Sequence, residues 1–305
     1  MQMILINKQE IIRKLNESHY SDKTVSVYAS WICRFIKYHN LDNNKLEIKH
    51  IQSYLKYLVN NRSLKPSTHN QALNSVVFFY QKILTIKINK SSVSALRTDH
   101  KQNALDILSK KQVENIAYHL KGQYQLLVYL LYGCGLRSSE VLNLKIKDIN
   151  FVTNQLTVSN LKYHRTLSIP TKITNSLKSQ IEFIKGIHHK DIKNKFFKST
   201  SEHHCYLFPM KQFCNDKDNK LIRSPIISNT LNYNITTAAK KAGITFKVTA
   251  QTFRHSFAVR LLQDQIDIKT VQKLLGHKHA SSTLIYSYVT QKISRRKSLS
   301  PLDLN

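Results

Sequence analysis

Nine consecutive residues, Tyr124 to Tyr132 (YQLLVYLLY), are apolar on nearly every side of a helix. Such a helix is stable only when the rest of a folded core encloses it. The run stops at Gly133-Cys134-Gly135, where glycine frees the backbone for a sharp turn. No apolar stretch approaches the ~18 residues that a membrane span needs, and the apolar part of the N-terminal MQMILINKQEII is too short for a signal peptide. The chain is therefore expected to be a soluble, cytoplasmic protein with no membrane partner.

The elements that would cover this helix are mostly helical. Tyr28, Ile32, Phe35 and Ile36 recur at helical spacing, as do Ile51, Tyr54, Leu55 and Leu58. A third helix follows Pro66, with Leu73, Val76, Val77, Tyr80 and Leu84 on one face. The periodicity then fades into INKSSVSALRTDHKQN, polar and rich in serine, which reads as a linker. Beyond it, Ser109 and Gln112 form a capping-box pattern for a helix to about Leu120. Ile146 to Phe151, Leu156 to Ser159 and Thr166 to Ile169 are short β-like runs suited to a small antiparallel sheet. Helices resume after Pro170 and again from Ser228, with breaks at Gly243 and Gly276. The expected fold is α+β and mainly helical: an N-terminal helical domain over 1–90, a linker over 91–103, and a larger mixed domain over 104–305.

Charge narrows the partner. The formal net charge is +29, far beyond what solubility requires, and it points to a polyanion. Residues 1–103 hold 16 Lys and Arg against 6 Asp and Glu, and residues 104–305 hold 31 against 12, so both domains are basic. DNA, duplex or folded single-stranded, is long enough for both to engage at once. Carboxylates that would hold a magnesium ion are missing as a cluster, since Glu140, Asp148, Asp264 and Asp267 stand apart in pattern. Phosphoryl chemistry would then need Arg, Lys or His to neutralise a pentacoordinate phosphate. Cys33, Cys134, Cys205 and Cys214 are too scattered for a disulfide framework and read as reduced thiols. His203, His204, Cys205 and Cys214 match neither zinc-finger nor knuckle spacing, so neither a metal nor a cofactor is expected.

Three segments carry the chemistry. LYGCGLRSSEVLNLKIKDI places Arg137 at the glycine turn, AQTFRHSFAVRLL places Gln251 and Arg254 one helical turn apart, and KLLGHKHASSTLIYSYV holds His277 nine residues ahead of Tyr286. In this order they resemble the boxes of the tyrosine recombinase (phage integrase) family, and the combination is far more specific than any one box. HYSDKTVSVYASWICRFIKYH, STHNQALNSVVFFYQKIL, EHHCYLFPMKQFCNDKDNK and the terminal SPLDLN are most similar to integron integrases. The resemblance covers nearly the whole chain.

The resemblance implies a SAM-like core-binding domain at the N-terminus, a recombinase catalytic domain, and a C-shaped clamp on DNA. It implies strand exchange through a covalent 3′-phosphotyrosine, gene-cassette capture, and a homotetramer on DNA with the tail 292–305 docking onto a neighbour. By the same resemblance Arg137 and Arg254 bind the scissile phosphate, Lys162 protonates the departing 5′-hydroxyl, His277 donates a further hydrogen bond and Tyr286 attacks. The segment 203–224 corresponds to the insertion with which integron integrases grip extruded bases. Tyrosine is a poor nucleophile at its ordinary pKa of ~10, so a cationic pocket favouring phenolate is expected.

Some positions depart from the family pattern. Gln251 stands where histidine is usual, and it donates a hydrogen bond but exchanges no proton near neutral pH. The hairpin LKYHRTLSIP is about two residues shorter than usual between Lys162 and Arg165, which leaves Arg165 as an alternative to Lys162. Tyr288 replaces a histidine and is a second phenol near the nucleophile, whereas His255 reads as a packed core histidine. Two alternatives accompany the integron reading: a Xer-like recombinase acting on duplex DNA, and a degenerate relative that binds DNA without cutting it.

Overall fold

The computed structural model describes residues 7–39, 47–62, 64–98, 105–160, 163–193, 201–215 and 221–296. The chain divides into two compact units, Met1–Asn103 and Ala104–Asn305.

The first unit is helical. α1 (Lys8–Glu17) opens at Asn7, whose side-chain oxygen accepts the Glu10 N–H at 2.9 Å, one of the orphan donors of a helix start. α2 (Asp22–His39), α3 (Ile48–Arg62) and α4 (Pro66–Phe78) follow, and α4 runs on into a π turn over Phe79–Ile83. Ile11, Leu15, Ile32, Phe35, Ile51, Leu55, Leu73 and Val76 meet in one core. Phe35 sits at its centre, edge-on to Tyr54 and Tyr80 with ring centroids 5.3 and 5.9 Å away.

The linker expected over 91–103 begins differently. Residues Lys90–Ala95 form a short helix, α5, and Val93 and Leu96 pack against the core. Polar contacts hold Arg97 and Thr98: the Asn70 amide donates to the Thr98 carbonyl at 3.0 Å and accepts its N–H at 3.1 Å, while Arg97 donates to Asn74 at 3.1 Å. The serine-rich composition hid this because side-chain amides of α4, rather than an apolar stripe, fix the segment.

In the second unit α6 (Lys110–Tyr118) leads into α7 (Gln123–Gly133), the apolar helix. Leu126, Leu127, Val128, Leu130 and Leu131 are all buried, and truncating such a leucine to alanine typically costs about 2–5 kcal/mol. After α8 (Ser138–Leu142) the strands β1 (Ile149–Asn150), β2 (Gln155–Asn160) and β3 (Tyr163–Ser168) form an antiparallel sheet in that order. Register pairs Leu156 with Leu167 and Val158 with Arg165. Residues Ile146–Asp148, expected as strand, make a 3-10 turn in which the Asp148 carboxylate accepts the Lys145 N–H at 2.8 Å. α9 (Thr171–Lys193) covers one side of α7.

The segment 203–224 contributes the fully buried Leu207 and Phe208 to the core and carries the short antiparallel strands β4 (Cys214–Asn215) and β5 (Leu221–Ile222); residues 216–220 lie outside the described ones. Arg223 ties the segment to α9 through both carboxylate oxygens of Asp191 and lies over the Phe213 ring at 4.2 Å. Then come α10 (Ser228–Lys241), α11 (Ala250–Gln263), α12 (Ile268–Leu275) and α13 (Ser281–Arg296). α11 packs on both α7 and α13, which makes it the shelf on which the site is built. Among the described residues no helix is long and apolar enough to cross a membrane.

Candidate active site

Two left-handed glycines shape the pocket. Gly135, at φ +61°, turns the chain out of α7 so that Arg137 caps α8, and a Cβ there would run into the Phe257 ring. Gly276, at φ +62°, ends α12, and the N–H of His277 closes the cap on the Gln272 carbonyl at 3.1 Å. The first turn presents Arg137 and the second presents His277.

Both arginines expected from the sequence are there, in different states. Arg254 lies on α11 and is 1% exposed. Its guanidinium donates to the carbonyls of Gly135 and Leu275 and to His277 Nε2, the last two at 2.7 and 3.0 Å. Burial, and then the neighbouring Arg137, lower its pKa to about 10, which leaves it cationic at neutral pH. Arg137 is more open, with its side chain 39% exposed, and it donates to Glu140 at 2.6 Å and to the Gly276 carbonyl at 3.1 Å.

Glu140 organises this side. Its carboxylate accepts the Arg137 backbone N–H at 2.7 Å and both Nη groups of Arg165 on β3, at 2.9 and 2.7 Å, and lies 3.7 Å from Arg254. Burial opposes its ionisation, but the hydrogen bonds from Arg165 and Arg137 outweigh it and hold the carboxyl at about 2. Arg165 Nε is buried without a hydrogen-bond partner among the described residues. Arg165 thus contributes a third guanidinium, locked in a bidentate fork. A strand pattern hides this contact, because it joins residues 25 apart in sequence.

The other side is neutral. Because the Arg254 Nη can only donate, His277 Nε2 must accept, and its proton sits on Nδ1, which donates to Thr283 Oγ1 at 2.9 Å. Burial, then Arg254, Arg137 and Arg165, push this histidine down to about 4. In this arrangement Nε2 has no proton to give a phosphate, contrary to the donor role that the sequence suggests.

Tyr286 is 2% exposed on α13, its ring stacked with His277 at 6.4 Å. Burial raises its pKa, and Arg254 and Arg137 offset this only in part. The expected cationic pocket exists, yet desolvation wins and the hydroxyl stays a phenol. Its partner is His255 Nδ1 at 2.9 Å. His255 is therefore no mere packed core residue: burial, then Arg254, lower it to about 4, so it stands as a neutral acceptor. No local spacing signals it, since the contact joins residues 31 apart in sequence.

The structure brings together Arg137, Arg254, His277 and Tyr286. Gln251 is exposed at the first turn of α11, and Lys162 lies outside the described residues. Tyr288 is 63% exposed and takes no part. Cys205 contacts His188 at 3.4 Å and Cys214 contacts Ser224 at 2.7 Å, and no group of three or more His, Cys, Asp or Glu converges among the described residues.

Each unit matches a known family. Residues 106–292 match the Phage integrase family, and residues 8–90 match the phage integrase N-terminal SAM-like domain. An "Integrase/recombinase" of Escherichia coli is 31% identical over 98% of this chain and 93% of its own length. The "Tyrosine recombinase XerA" of Pyrococcus horikoshii is 31% identical over 89% of this chain and 85% of its own length. Among solved structures, the Tn1549 transposon integrase in complex with transposon right end DNA superposes with a TM-score of 0.68 at 15% identity, covering 96% of this chain and 99% of that one.

Proposed function

From the premise that the chain belongs to the phage integrase family and is a tyrosine recombinase, we propose that it cuts and rejoins DNA at specific sites through a 3′-phosphotyrosine on Tyr286. The observation that carries this reading is the convergence of the two buried groups, Arg254 and Tyr286, with Arg137 and His277 on one pocket. Two guanidiniums bind the non-bridging oxygens of the scissile phosphate, a task for which their planar forks suit them better than lysine. Arg254 and Tyr286 must be uncovered for a phosphate to reach them, so DNA binding and opening of the pocket are coupled. Lys162, which follows β2 in the sequence, protonates the departing 5′-oxygen. Energy of the broken bond stays in the phosphotyrosine, so resealing needs no nucleotide.

Two kinds of site are compatible with this chemistry. The segment 203–224, whose Arg223 pairs with Asp191 on α9, favours a folded single-stranded site and cassette capture through its resemblance to the insertion of integron integrases. Similarity to the Pyrococcus horikoshii XerA favours a duplex site. Each recombining site needs two cleavages, which implies four protomers on two sites. Two oligonucleotide libraries with randomised arms, one of folded hairpins and one of duplexes, separate these readings. Adducts that survive denaturation are recovered and sequenced. Recovery from the hairpins alone supports the integron-like reading, and recovery from duplexes alone the Xer-like one. An absence of adduct from both leaves a DNA-binding protein that does not cut.

A further inference from the structure

Gln251 removes the histidine that members of this family usually carry one turn before the second arginine, and with it a group able to exchange a proton. The pocket nevertheless presents a nucleophile that needs a base, because Tyr286 is held as a phenol by its burial. Among the described residues one group hydrogen-bonds to its oxygen: His255, four residues beyond Gln251 on the same helix, with Nδ1 at 2.9 Å from Oη. We propose that His255 is a catalytic residue of this enzyme, the general base that takes the phenolic proton of Tyr286 as the tyrosine attacks. The inference rests on the recombinase reading above.

Geometry comes first. A base must lie within about 2.6–3.2 Å of the proton's heavy atom, and His255 does so before any substrate arrives. Tyr286 Oη has no other hydrogen-bond partner among the described residues, so as a phenol it donates to Nδ1 and His255 is the acceptor. The two rings, with centroids 5.6 Å apart, are carried by α11 and α13, which pack directly on each other. His277, the other imidazole at this tyrosine, is spent differently, since its Nε2 accepts from Arg254 and its Nδ1 donates to Thr283.

The step balances. The bond between Tyr286 Oη and phosphorus forms as that between phosphorus and the 5′-oxygen breaks; the phenolic proton passes to His255 Nδ1, and the 5′-oxygen takes its proton from a separate donor, Lys162 in the reading above. On resealing, the 5′-hydroxyl gives its proton back to Lys162 as its oxygen bonds to phosphorus, the bond between phosphorus and Tyr286 Oη breaks, and His255 returns the phenolic proton to Oη. In the free protein burial, and then Arg254 beside it, oppose protonation of the His255 ring. A phosphate held by Arg254 and Arg137 supplies negative charge that offsets the arginine's share of this, so the base is stronger when substrate is seated.

The test uses the full chain and the DNA site recovered from the libraries. His255→Asn keeps a side-chain acceptor for the tyrosine but holds no proton, and it should slow adduct formation about 10²–10⁴-fold with DNA affinity unchanged within about twofold. In His255→Ala, free imidazole should restore part of the rate, which a packing role would not allow. Replacing the bridging 5′-oxygen of the DNA with sulfur removes the need to protonate the leaving group. It should rescue Lys162→Ala and leave the His255→Asn defect in place. A His255→Asn rate within threefold of the parent overturns the proposal, as does rescue of that variant by the sulfur substrate, or a loss of affinity that matches the loss of rate. Absence of any adduct with the parent protein overturns the recombinase reading itself and the proposal with it.

Discussion

The two walls of the pocket hold their residues by opposite means. On the sheet side Arg137, Arg165 and Glu140 form an ionic lattice, with the carboxylate pulled far below its usual range and every hydrogen bond charge-assisted. On the helix side Tyr286 donates to His255 and His277 donates to Thr283, hydrogen bonds between neutral groups, and burial suppresses the charged form of His255, His277 and Tyr286. The contrast separates two demands of metal-free phosphoryl transfer. Charge that stabilises the transition state must be fixed in advance, because reorienting it during reaction costs energy. Protons that move must sit on groups able to hold or release them.

The largest effect should come from the helix side. Tyr286→Phe is expected to abolish adduct formation on a denaturing gel, with DNA affinity in a filter assay nearly unchanged, because one hydroxyl is a small part of a contact made to many phosphates. Were Tyr288→Phe to remove the adduct and Tyr286→Phe to spare it, the buried phenol would not be the nucleophile and the contrast between the walls would have no catalytic meaning.

Breaking the sheet side should cost stability as well as rate. Glu140→Gln leaves Arg137 and Arg165 without their counter-charge beside Arg254, and removing one partner of a buried ion pair costs about 3–5 kcal/mol. Denaturant unfolding at pH 7 measures this. Because the folded-state pKa of Glu140 is depressed from 4.5 to about 2, its contribution is complete above the unfolded value and is lost as pH falls from there toward 2. The parent should therefore lose stability across that window more steeply than Glu140→Gln; parallel curves would show that the lattice is not what holds this wall.

These contacts also mark what sequence alone conveys. The apolar run of α7, its glycine stop and the helical stripes of α2, α3 and α4 are written in local periodicity, so the mainly helical fold with its small sheet is legible. The convergence of Arg137, Arg254, His277 and Tyr286 becomes legible through the resemblance, since those positions are distributed over three distant segments. The partners that set their chemistry were not legible. Arg165 meets Glu140 across 25 residues and His255 meets Tyr286 across 31, and neither spacing has a local signature. α5 escaped for a related reason: the residues just after it are fixed by the amides of Asn70 and Asn74, which lie 28 and 23 residues away from their partners.

The joint between the walls is Gly276, and a smaller effect should come from filling it. A Cβ there would lie 2.8 Å from Arg165 Nη1, and φ +62° is a conformation that costs a side chain about 1–2 kcal/mol. Gly276→Ala should lower stability by about 2 kcal/mol in thermal unfolding. It should slow adduct formation as well, since the same turn carries His277 and receives Arg137 on its carbonyl. Full retention of activity would mean that the two walls work independently.

The smallest expected change is a gain, at the one position where the chain departs from its family on the helix side. Gln251 is exposed at the first turn of α11, so an imidazole there displaces no packed neighbour. If His255 already removes the nucleophile's proton, a histidine at 251 adds a donor to the phosphate and a second site for protons, but it no longer supplies the whole benefit of ~10²–10⁴-fold that a positioned acid or base contributes. Gln251→His should then raise the adduct rate only about tenfold, about 1.4 kcal/mol of barrier, with a new pH dependence near the usual histidine pKa of ~6.5. The same substitution placed on His255→Asn should give a larger relative gain, because there the added imidazole restores proton exchange that the helix has otherwise lost. Equal gains in the two backgrounds would show that the residues at 251 and 255 act on separate steps.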